Sequence, residues 1–521
     1  MSTAVGNSLN AASQGIAAQY SQLSQVVLGH NSVYMPKGGQ ALTPTARDDT
    51  TYIAPANGVQ TPVLTANNKI VYSLPKTATL IGKCWHEITL SAGQTNSAPN
   101  DNSNPGGANQ ARPGGLFVAV PANGYAPPLP ADPVAGFAGA AAVGTPQAEY
   151  EKNVGDLICS YIILRYGSTP LQQYTTNMVV AQRMLEKNNI NIEDINVEVL
   201  GNLAPGGNSE QTLIDAFYRG VTLRHPLDEL WFTQSQDRHW MPESLALEGT
   251  LEFTLRDPSF FIITSTGTNA VLTGASAAMP TITNCVLRYQ QITLSAAEKM
   301  NRLAIYKSPE GMVNLFEDTE DQLALLVPAN TSTTVSTIQT INVPLSNFRM
   351  DSKEIIFYVR VAANTATYAN PYGVFSGNLG AWQGSHMESD RLTPSLLLTP
   401  TGSNVIGTLL PITQYKLVSA GKDLFNFQPE LLNRTYQRKQ YHPDAEVGSY
   451  VYCHEFAIYP EDTRNATGHI STSTLGNLTL VLNVAIPITR TAATITLQVD
   501  CHSKAYNLMQ ARGGSIAKAL N

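Results

Sequence analysis

Short segments with a strand-like pattern recur along almost the whole of this 521-residue chain. In the clearest case Leu251, Phe253 and Leu255 alternate with polar or charged neighbours, which is the two-residue period of a half-buried strand. The chain also contains 38 Gly and 31 Pro, spread among these segments, which can supply the turns that many short strands need. The pattern therefore predicts an all-β chain built from sandwiches or barrels.

The strand-like segments form two series of similar size. The first covers residues 70–74, 78–90, 157–166, 251–255 and 260–264, and the second covers 284–294, 338–343, 354–361, 450–459, 477–486 and 494–501. Between them, residues 265–280 are rich in Thr, Ser, Gly and Ala and resemble an interdomain linker. Since a domain usually has about 100–200 residues and sandwiches can be larger, we predict two consecutive β-sandwiches.

Turn-rich stretches and the chain ends set the predicted domain limits. Residues 91–150 are so rich in Gly, Pro, Asn and Ala that they indicate a long loop, which should face outward because its backbone could not be satisfied in a core. We divide the chain into an N-terminal arm (1–50), a first sandwich (51–265, with the loop at 91–150), a second sandwich (281–505, with a long loop at 362–449) and a C-terminal tail (506–521).

Helical periodicity is limited to two stretches. Residues 171–185 have apolar side chains at spacings of three and four, which predicts a helix packed on a sheet. The arm has a similar stripe, which predicts a short helix that would be marginal on its own in water and is expected to order against a partner. The stripe consists of Ile16, Tyr20, Leu23 and Val27.

Two short echoes in the sequence suggest an internal duplication. Leu164–Tyr166 recurs as Leu287–Tyr289, and Glu229–Phe232 is echoed by Glu354–Phe357 at nearly the same offset. Because the echoes keep the same order and fall on candidate strands, they modestly favour a duplicated sandwich.

The charge balance argues against a protein that coats nucleic acid. Lys and Arg total 32 against 39 Asp and Glu, which gives a net charge of −7. No run of basic residues is present that could neutralise a phosphate backbone. We therefore expect no direct binding of nucleic acid.

The cysteines and the N-terminus suggest a reducing compartment. Five widely spaced cysteines in a long chain favour free thiols over a disulfide framework. The N-terminus lacks a basic region and a continuous apolar core, and no stretch approaches the ~20 apolar residues of a membrane helix. The sequence therefore predicts neither a secretion signal nor a membrane span.

Signatures of common enzymes are absent, and the pairs of soft ligands are poorly placed for a metal. Adjacent strand residues point to opposite faces, so neighbouring Cys and His side chains cannot share an ion without a bulge. We interpret these residues as core or surface positions. The pairs are Cys84 with His86, Cys453 with His454, and Cys501 with His502.

Two clusters of acidic residues could in principle bind calcium. His225, Asp228 and Glu229 form one, and residues 317–321 form the other. Such clusters are more often solvated turns, so calcium is kept as the minor alternative. We predict no catalytic, cofactor-binding or metal-binding residue.

The last third of the chain resembles a viral protein family. An aromatic strand, 448–460, is followed by a turn, 467–477, and then by the strand 478–486. The turn is similar to a Ser-Gly-x-x-Asn-x-Ser-Arg-Ile-Asp-Asn motif and differs from it at Ser471, Thr474 and Gly476. Both features resemble the C-terminal roll of the double jelly-roll major capsid proteins of large icosahedral DNA viruses, the nucleocytoplasmic type, as a divergent branch.

Other segments resemble the same family in the same order. Residues 345–357 are similar to a strand that ends in Lys-Glu-Ile-Ile-Trp, and residues 161–167 are similar to a strand that precedes a short helix in the first roll. Residues 229–233 and 242–249 look like a strand that leads into a Pro-Leu-Ile-Ala-Leu segment. The resemblance covers roughly residues 60–500.

The resemblance implies a fold of two consecutive eight-stranded jelly-roll sandwiches with long loop insertions and a short N-terminal helical arm. It also implies a non-enzymatic structural protein of the virion, without a cofactor, that assembles in the host cytoplasm. Homotrimers would form pseudo-hexagonal capsomers that tile an icosahedral shell. Their partners would be neighbouring capsomers, penton and minor capsid proteins and, where the virus has one, an internal membrane beneath the shell.

Two other classes of protein stay open from the residues alone. A viral spike or other β-rich adhesive protein shares the strand and turn content, but it predicts a secretion signal or a fibrous repeat. A β-sandwich carbohydrate-active hydrolase needs two carboxylates across a cleft, and no strand suggests that pair.

Overall fold

The computed structural model describes most of the predicted strand regions and leaves several connecting stretches outside. The described residues are 46–77, 80–93, 148–150, 154–185, 216–217, 220–234, 238–258, 261–264, 278–328, 337–361, 412–443, 451–460, 462, 466–475, 477–486 and 497–518. No helix in this part of the chain has the length and apolar character of a membrane span.

Strands dominate the first half of the described chain, as the two-residue periodicity predicts. In chain order the elements are β1 (Ala46–Ile53), β2 (Lys69–Ser73), β3 (Leu80–Leu90), β4 (Ala148–Tyr150), α1 (Val154–Leu157), β5 (Cys159–Tyr166), β6 (Thr169–Thr175), α2 (Thr176–Leu185), β7 (Val221–Pro226), a 3₁₀ turn (Pro242–Ser244), β8 (Gly249–Leu255), β9 (Ile262–Thr264) and β10 (Ile282–Leu294).

The second half is also mainly β. It contains α3 (Ala296–Lys307), β11 (Met312–Val327), β12 (Thr337–Pro344), β13 (Asp351–Val361), β14 (Ile412–Ser419), β15 (Lys422–Asp423), β16 (Gln428–Pro429), α4 (Glu430–Leu432), a π-helical turn (Asn433–Gln437), α5 (Arg438–Tyr441), β17 (Tyr452–Glu455), β18 (Ile470–Ser471), β19 (Thr479–Ile486), β20 (Leu497–Arg512) and β21 (Ser515–Lys518).

The first sandwich consists of two antiparallel sheets that face each other. One sheet has the order β1-β10-β3-β7 and the other β2-β8-β5-β6. Side chains from both sheets meet in one apolar core, where the His86 ring stacks on Phe253 with centroids 4.1 Å apart. A two-stranded pair, β4 with β9, completes the paired strands of this half.

The second sandwich is built in the same way. One sheet has the order β11-β20-β13-β17, and in addition β18 pairs with β13 and β21 pairs with β20. The other sheet has the order β12-β19-β14-β15, and β16 pairs with β14. The prediction of an all-β chain with two consecutive sandwiches is therefore confirmed.

The sheet β11-β20-β13-β17 is covered on both faces, and we call it the central sheet. On β13, Ile355 and Phe357 point into the core of the second sandwich. The residues that alternate with them, Ile356 and Tyr358, belong to the apolar core of the first sandwich. Since both faces are buried, this strand has a continuous apolar run instead of an alternating pattern.

Strand pairing corrects the predicted domain limits at three points. Residues 46–50, placed in the arm, belong to β1, which pairs antiparallel with β10. β10 also pairs with β3, so residues 282–294 are part of the first sandwich and not the start of the second. Residues 506–518, predicted to be a tail, continue β20 and form β21. A strand's period shows that it is paired but not with which partner, and this explains the errors.

Two local predictions are also wrong in part. Residues 171–175 are strand β6, and the predicted helix begins only at Thr176. In the predicted loop 362–449, residues 412–441 contain β14, β15, β16 and three helical turns. The pairing of β5 with β6 shifts register at Leu171, so Leu171 and Tyr174 are both buried on a strand although their spacing of three is helical.

The sequence echoes do not relate the two sandwiches. Leu164–Tyr166 lies on β5 and Leu287–Tyr289 on β10, which are both strands of the first sandwich. Glu229–Phe232 forms a turn, whereas Glu354–Phe357 lies on β13. The two echoes are therefore not evidence of duplication.

Several predicted features lie outside the described residues. These are the helical stripe of the arm, residues 94–147 of the first loop, residues 265–277 of the linker and residues 362–411 of the second loop. The prediction of free cysteines is confirmed, since all five are free thiols in buried positions.

Candidate functional site

The paired Cys and His residues of the first sandwich are core positions. Cys84 Sγ lies 3.4 Å from the carbonyl oxygen of Gly82. His86 Nε2 lies 3.0 Å from the hydroxyl of Tyr72, and burial, together with the nearby His225, lowers the pKa of His86 to about 3. A buried neutral histidine that shares a hydrogen bond with a tyrosine has a packing role.

The two adjacent Cys-His pairs separate across their strands as predicted. Cys453 joins the first apolar core, whereas the ring of His454 stacks on Phe425 beside the second core. Cys501 points into the second core, and His502 Nε2 lies 3.0 Å from the hydroxyl of Tyr358 on the opposite face. The alternation of side chains along a strand therefore prevents each pair from binding the same metal ion.

The first acidic cluster does not converge on one point. His225 ends strand β7 and its Nδ1 lies 2.5 Å from Asp156 Oδ1. Burial opposes ionisation of Asp156, but the neighbouring Arg183 and His225 outweigh it and lower the pKa of this carboxyl group. Asp228 instead lines a surface cleft, so the side chains of His225 and Asp228 lie in different environments.

The second acidic cluster is a strand and not a loop. Residues 317–321 lie on β11, where successive side chains point to opposite faces. Glu317 pairs with Lys353, and Asp318 Oδ2 lies 2.9 Å from Lys518 Nζ. The predicted solvated turn is therefore wrong, because each of these carboxylates has a basic partner in the central sheet.

Strand β11 also joins the two sandwiches. The side chain of Gln234 donates to the carbonyl oxygen of Glu317 at 2.6 Å and accepts from the backbone N–H of Glu317 at 2.9 Å. Thr319 Oγ1 donates to the carbonyl oxygen of Gln173 at 3.3 Å, and Thr175 Oγ1 lies 3.3 Å from Asp321 Oδ1. We call these contacts the inter-sandwich joint.

A second set of contacts joins the sandwiches at the C-terminal hairpin. The hydroxyl of Tyr166 donates to the carbonyl oxygen of Gly514 at 2.7 Å. The same carbonyl accepts the backbone N–H of Ala246, also at 2.7 Å. Because the hairpin β20–β21 belongs to the second sandwich, the predicted tail in fact fixes the two halves to each other.

The surface cleft beside Cys84 has a volume of about 510 Å³ and a mixed charge. Arg288 and Arg224 line it, and both already contact Glu87, at 2.8 Å and 3.2 Å. Burial opposes ionisation of Glu87, but hydrogen bonds from these two arginines outweigh it and lower its pKa. The arrangement neutralises its own charges and offers no built anion site.

A buried group that the sequence did not reveal lies where β13 meets β17, and we call it the acid cluster. It contains Glu354, His442, Cys453 and Glu455. His442 Nε2 lies 3.1 Å from Glu354 Oε1 and 2.7 Å from Glu455 Oε1. Burial opposes the charges of Glu354 and His442, but their attraction lowers the pKa of the first and raises that of the second, whereas burial and the Glu354 charge raise the pKa of Glu455.

Sequence reasoning could have found only part of this cluster. Glu354 directly precedes the apolar run 355–359 of the same strand, and a charged residue at the border of a buried run is a signal in itself. His442 is far from Glu354 in the chain and lies in a segment predicted to be loop. Only the pairing of β13 with β17 brings the two together.

Comparisons with known proteins find the fold but no close sequence relative. No protein-family model matches the chain, and no curated protein matches its sequence. The PBCV-1 virus capsid is similar in structure with a TM-score of 0.57 and 16% identity, over 93% of this chain and 99% of that one.

Two further structures agree. The Faustovirus major capsid protein has a TM-score of 0.56 at 10% identity, over 95% of this chain and 98% of its own. A chain of the Sputnik virophage structure has a TM-score of 0.50 at 10% identity, over 94% and 91%. Identities this low show the fold alone, and the likeness extends over both sandwiches. The chain therefore has the double jelly-roll fold of viral major capsid proteins.

Proposed function

We propose that this protein is a major capsid protein whose homotrimers form pseudo-hexagonal capsomers that tile an icosahedral virus shell. The observation that carries the proposal is that the fold likeness covers 93% of this chain and 99% of the PBCV-1 capsid chain, and so includes both sandwiches. A chain with two similar units gives six units per trimer, which is the geometry of a pseudo-hexagonal tile.

The inter-sandwich joint supports this role because a tile must hold its two units in a fixed orientation. Both faces of the central sheet are buried, and Gln234 bonds to both backbone polar groups of Glu317. A large apolar contact between domains opposes relative motion. The two sandwiches are therefore expected to move together as one rigid unit.

Exposed apolar side chains are the surfaces that we expect neighbouring copies to cover. On the second sandwich, Leu431 and Tyr436 in the helical turns and Ile458 and Tyr459 after β17 are 59–67% exposed. Tyr52 and Val63 are similarly exposed on the first sandwich. Apolar side chains in contact with water favour association, and identical chains are the expected partners of a tile.

The remaining parts of the proposal concern partners and place. We propose contacts with neighbouring capsomers, penton and minor capsid proteins, assembly in the host cytoplasm and residence in the virion. A catalytic activity, a cofactor and direct binding of nucleic acid are not part of the proposed role. The net charge of −7 supports the last point, because a chain of this charge is repelled by phosphate.

The arm is proposed to be an assembly element. Its apolar stripe, Ile16 to Val27, would gain about 1.5–3 kcal/mol per fully buried side chain against a neighbouring protein, before the cost of ordering. Deleting residues 1–30 should leave trimers folded and impair closure of the shell. A truncated chain that forms closed shells normally would contradict this role.

The proposed function is tested by particle shape and mass. Sedimentation of the purified chain should give a trimer, and negative-stain images should show flat hexagonal outlines. An elongated fibrous particle would favour the adhesive or spike alternative. A stable monomer at concentrations that suffice for assembly would overturn the capsid proposal.

A further inference from the structure

The acid cluster of the second sandwich has the composition of a metal site. Glu354 lies on β13, His442 directly follows α5, and Cys453 and Glu455 lie on β17. One ligand atom from each residue lies within 4.8 Å of those of the other three. We propose that this cluster binds one divalent transition-metal ion of the zinc class, which holds the helical turns 430–441 to the edge of the central sheet.

Strand geometry explains how the four side chains meet. Glu354 and Glu455 are directly opposite each other on the paired strands β13 and β17. Cys453 is two residues before Glu455, so both side chains point to the same face. His442 reaches this face from the turns that cover it, and its Nε2 contacts one oxygen of each carboxylate, at 3.1 and 2.7 Å.

The donor set suits zinc better than calcium or magnesium. A thiol, an imidazole and two carboxylates combine soft and borderline ligands, whereas calcium and magnesium take oxygen ligands. In a tetrahedral zinc site with bonds of about 2.0–2.3 Å, ligand atoms lie about 3.4–3.8 Å apart. The ligand atoms of the acid cluster all lie within 4.8 Å of one another, and His442 Nε2 lies 3.1 and 2.7 Å from the two carboxylates, so small side-chain movements suffice to surround an ion.

Unsatisfied carboxylate oxygens provide an independent sign of a ligand. The side chains of Glu354 and Glu455 are 1% and 0% exposed, and no described polar group donates a hydrogen bond to the Oε2 atom of either. Repulsion between the two facing carboxyl groups is relieved by the raised pKa of Glu455, but a buried polar atom without a partner is still costly. A divalent cation would displace the protons that the cluster holds and would satisfy both oxygens.

Nearby basic groups do not account for these oxygens. The ammonium group of Lys353 bonds to Glu317 and to the carbonyl oxygen of Pro460. Lys504 Nζ lies 3.8 Å from the other oxygen of Glu317. Both lysines therefore contact Glu317. They also favour the charge of Glu354, but neither donates a hydrogen bond to its Oε2 atom.

The surroundings of the cluster fix its ligands in place. Asn433 Nδ2 donates to the carbonyl oxygen of Cys453 at 2.5 Å, and the side-chain oxygen of Gln437 accepts the backbone N–H of Glu455 at 3.4 Å. Groups that orient the ligands are a regular part of protein metal sites. These contacts hold residues 433–442 against β17, and an ion coordinated by His442, Cys453 and Glu455 would add a further link between the same two segments.

The test begins with the metal content of the purified full-length protein. Elemental analysis should find about one zinc per chain. Removal of zinc with a chelator should lower the unfolding temperature, and added Co²⁺ should give a thiolate-to-metal absorption band with the visible bands of a tetrahedral site. Protein that holds no zinc and gives no thiolate band with Co²⁺ would overturn the proposal and leave a histidine bridged to two carboxylates.

Matched variants locate the ion. Cys453→Ala should remove the thiolate band, and the isosteric Glu354→Gln should weaken Co²⁺ binding at least about 100-fold without removing a side-chain volume from the core. Cys501→Ala is the control, because Cys501 is also buried in the second sandwich but lies in the other core. If the control loses the band and Cys453→Ala retains it, the proposed site is wrong. The metal content is independent of the capsid role, so either proposal can fail alone.

Discussion

The ion pairs of Glu87 in the first sandwich and of Glu317 in the second have different surroundings. In the first, Glu87 pairs at 2.8 Å with Arg288, whose side chain is 37% exposed. In the second, Glu317 pairs with Lys353, and both side chains are less than 5% exposed. The same type of contact is therefore partly solvated at Glu87 and internal at Glu317.

The difference follows from the layers around each sheet. The sheet that carries Glu87 has one face toward the core and one toward water, so its ion pairs are partly solvated. The central sheet has a core on either side, so the charges of Glu317 and Lys353 within it have almost no access to water. In a low-dielectric layer an ion must be paired or held by a metal, whereas a solvated pair contributes little. How much an ion pair contributes to the free energy of unfolding therefore depends on how deeply the surrounding layer is buried.

The largest contrast is expected from removing one lysine in each sandwich. Lys353→Ala should lower the free energy of unfolding by about 3–5 kcal/mol, because it leaves Glu317 buried with a single remaining ion-pair partner. Lys69→Ala is the matched change in the first sandwich and should cost about 0–1 kcal/mol, since the Lys69 side chain is 55% exposed. Urea denaturation of both variants measures the two values. Equal losses would break the comparison.

A second test addresses the burial of both faces of the central sheet. Ile356→Ala should cost about 2–5 kcal/mol, because this side chain is fully buried against the first sandwich. Ile338→Ala is the control. Ile338 lies on the edge strand β12 and is 63% exposed, so its loss should change the free energy of unfolding by less than about 0.5 kcal/mol. The two free energies come from chemical denaturation. A small loss for Ile356→Ala would mean that the sandwiches are not packed on this face.

The inter-sandwich joint should be weaker than either core. Gln234→Ala removes a donor and an acceptor from the backbone of Glu317 and is expected to cost about 1–3 kcal/mol. Gln510→Ala loses only one exposed contact of 3.4 Å and should be nearly neutral. Limited proteolysis together with thermal unfolding detects loosening between the halves. If Gln510→Ala destabilises as much as Gln234→Ala, the joint does not couple the sandwiches.

A further test concerns pH in the first sandwich. His86 is neutral in the fold because burial, with His225 nearby, lowers its pKa to about 3, whereas an unfolded histidine titrates near 6.5. As the pH falls below about 6.5, the unfolded state gains a proton that the folded state does not. This histidine therefore lowers the free energy of unfolding by about 1.4 kcal/mol per pH unit until about pH 3.

The variant His86→Phe isolates this contribution. It keeps an aromatic ring against Phe253, loses the hydrogen bond to Tyr72 and removes the titrating group. As the pH is lowered from 7 to 5, the free energy of unfolding should therefore decrease less steeply for the variant than for the unmodified protein, whatever the absolute difference between them. An unchanged slope would show that His86 takes up a proton in the folded state.

The acid cluster marks the limit of sequence reasoning about the site. Glu354 could have been recognised as a charge at the border of the apolar run 355–359, and the separation of Cys453 from His454 was predicted correctly from strand alternation. The meeting of Glu354 with His442 was not predictable, because the two lie on segments whose contact depends on the pairing of β13 with β17. The same holds for Glu317, which appeared to be part of a solvated turn.

The sequence by itself determined the strand content, the two series of strands and the places where the chain turns. These features depend on side-chain alternation and on Gly and Pro, which act over a few residues. The tertiary structure alone decided that residues 282–294 complete the first sandwich, that residues 506–518 join the two halves, and that the central sheet is buried on both faces. A local period reports that a face is shielded from water, but it does not report which distant strand or layer shields it.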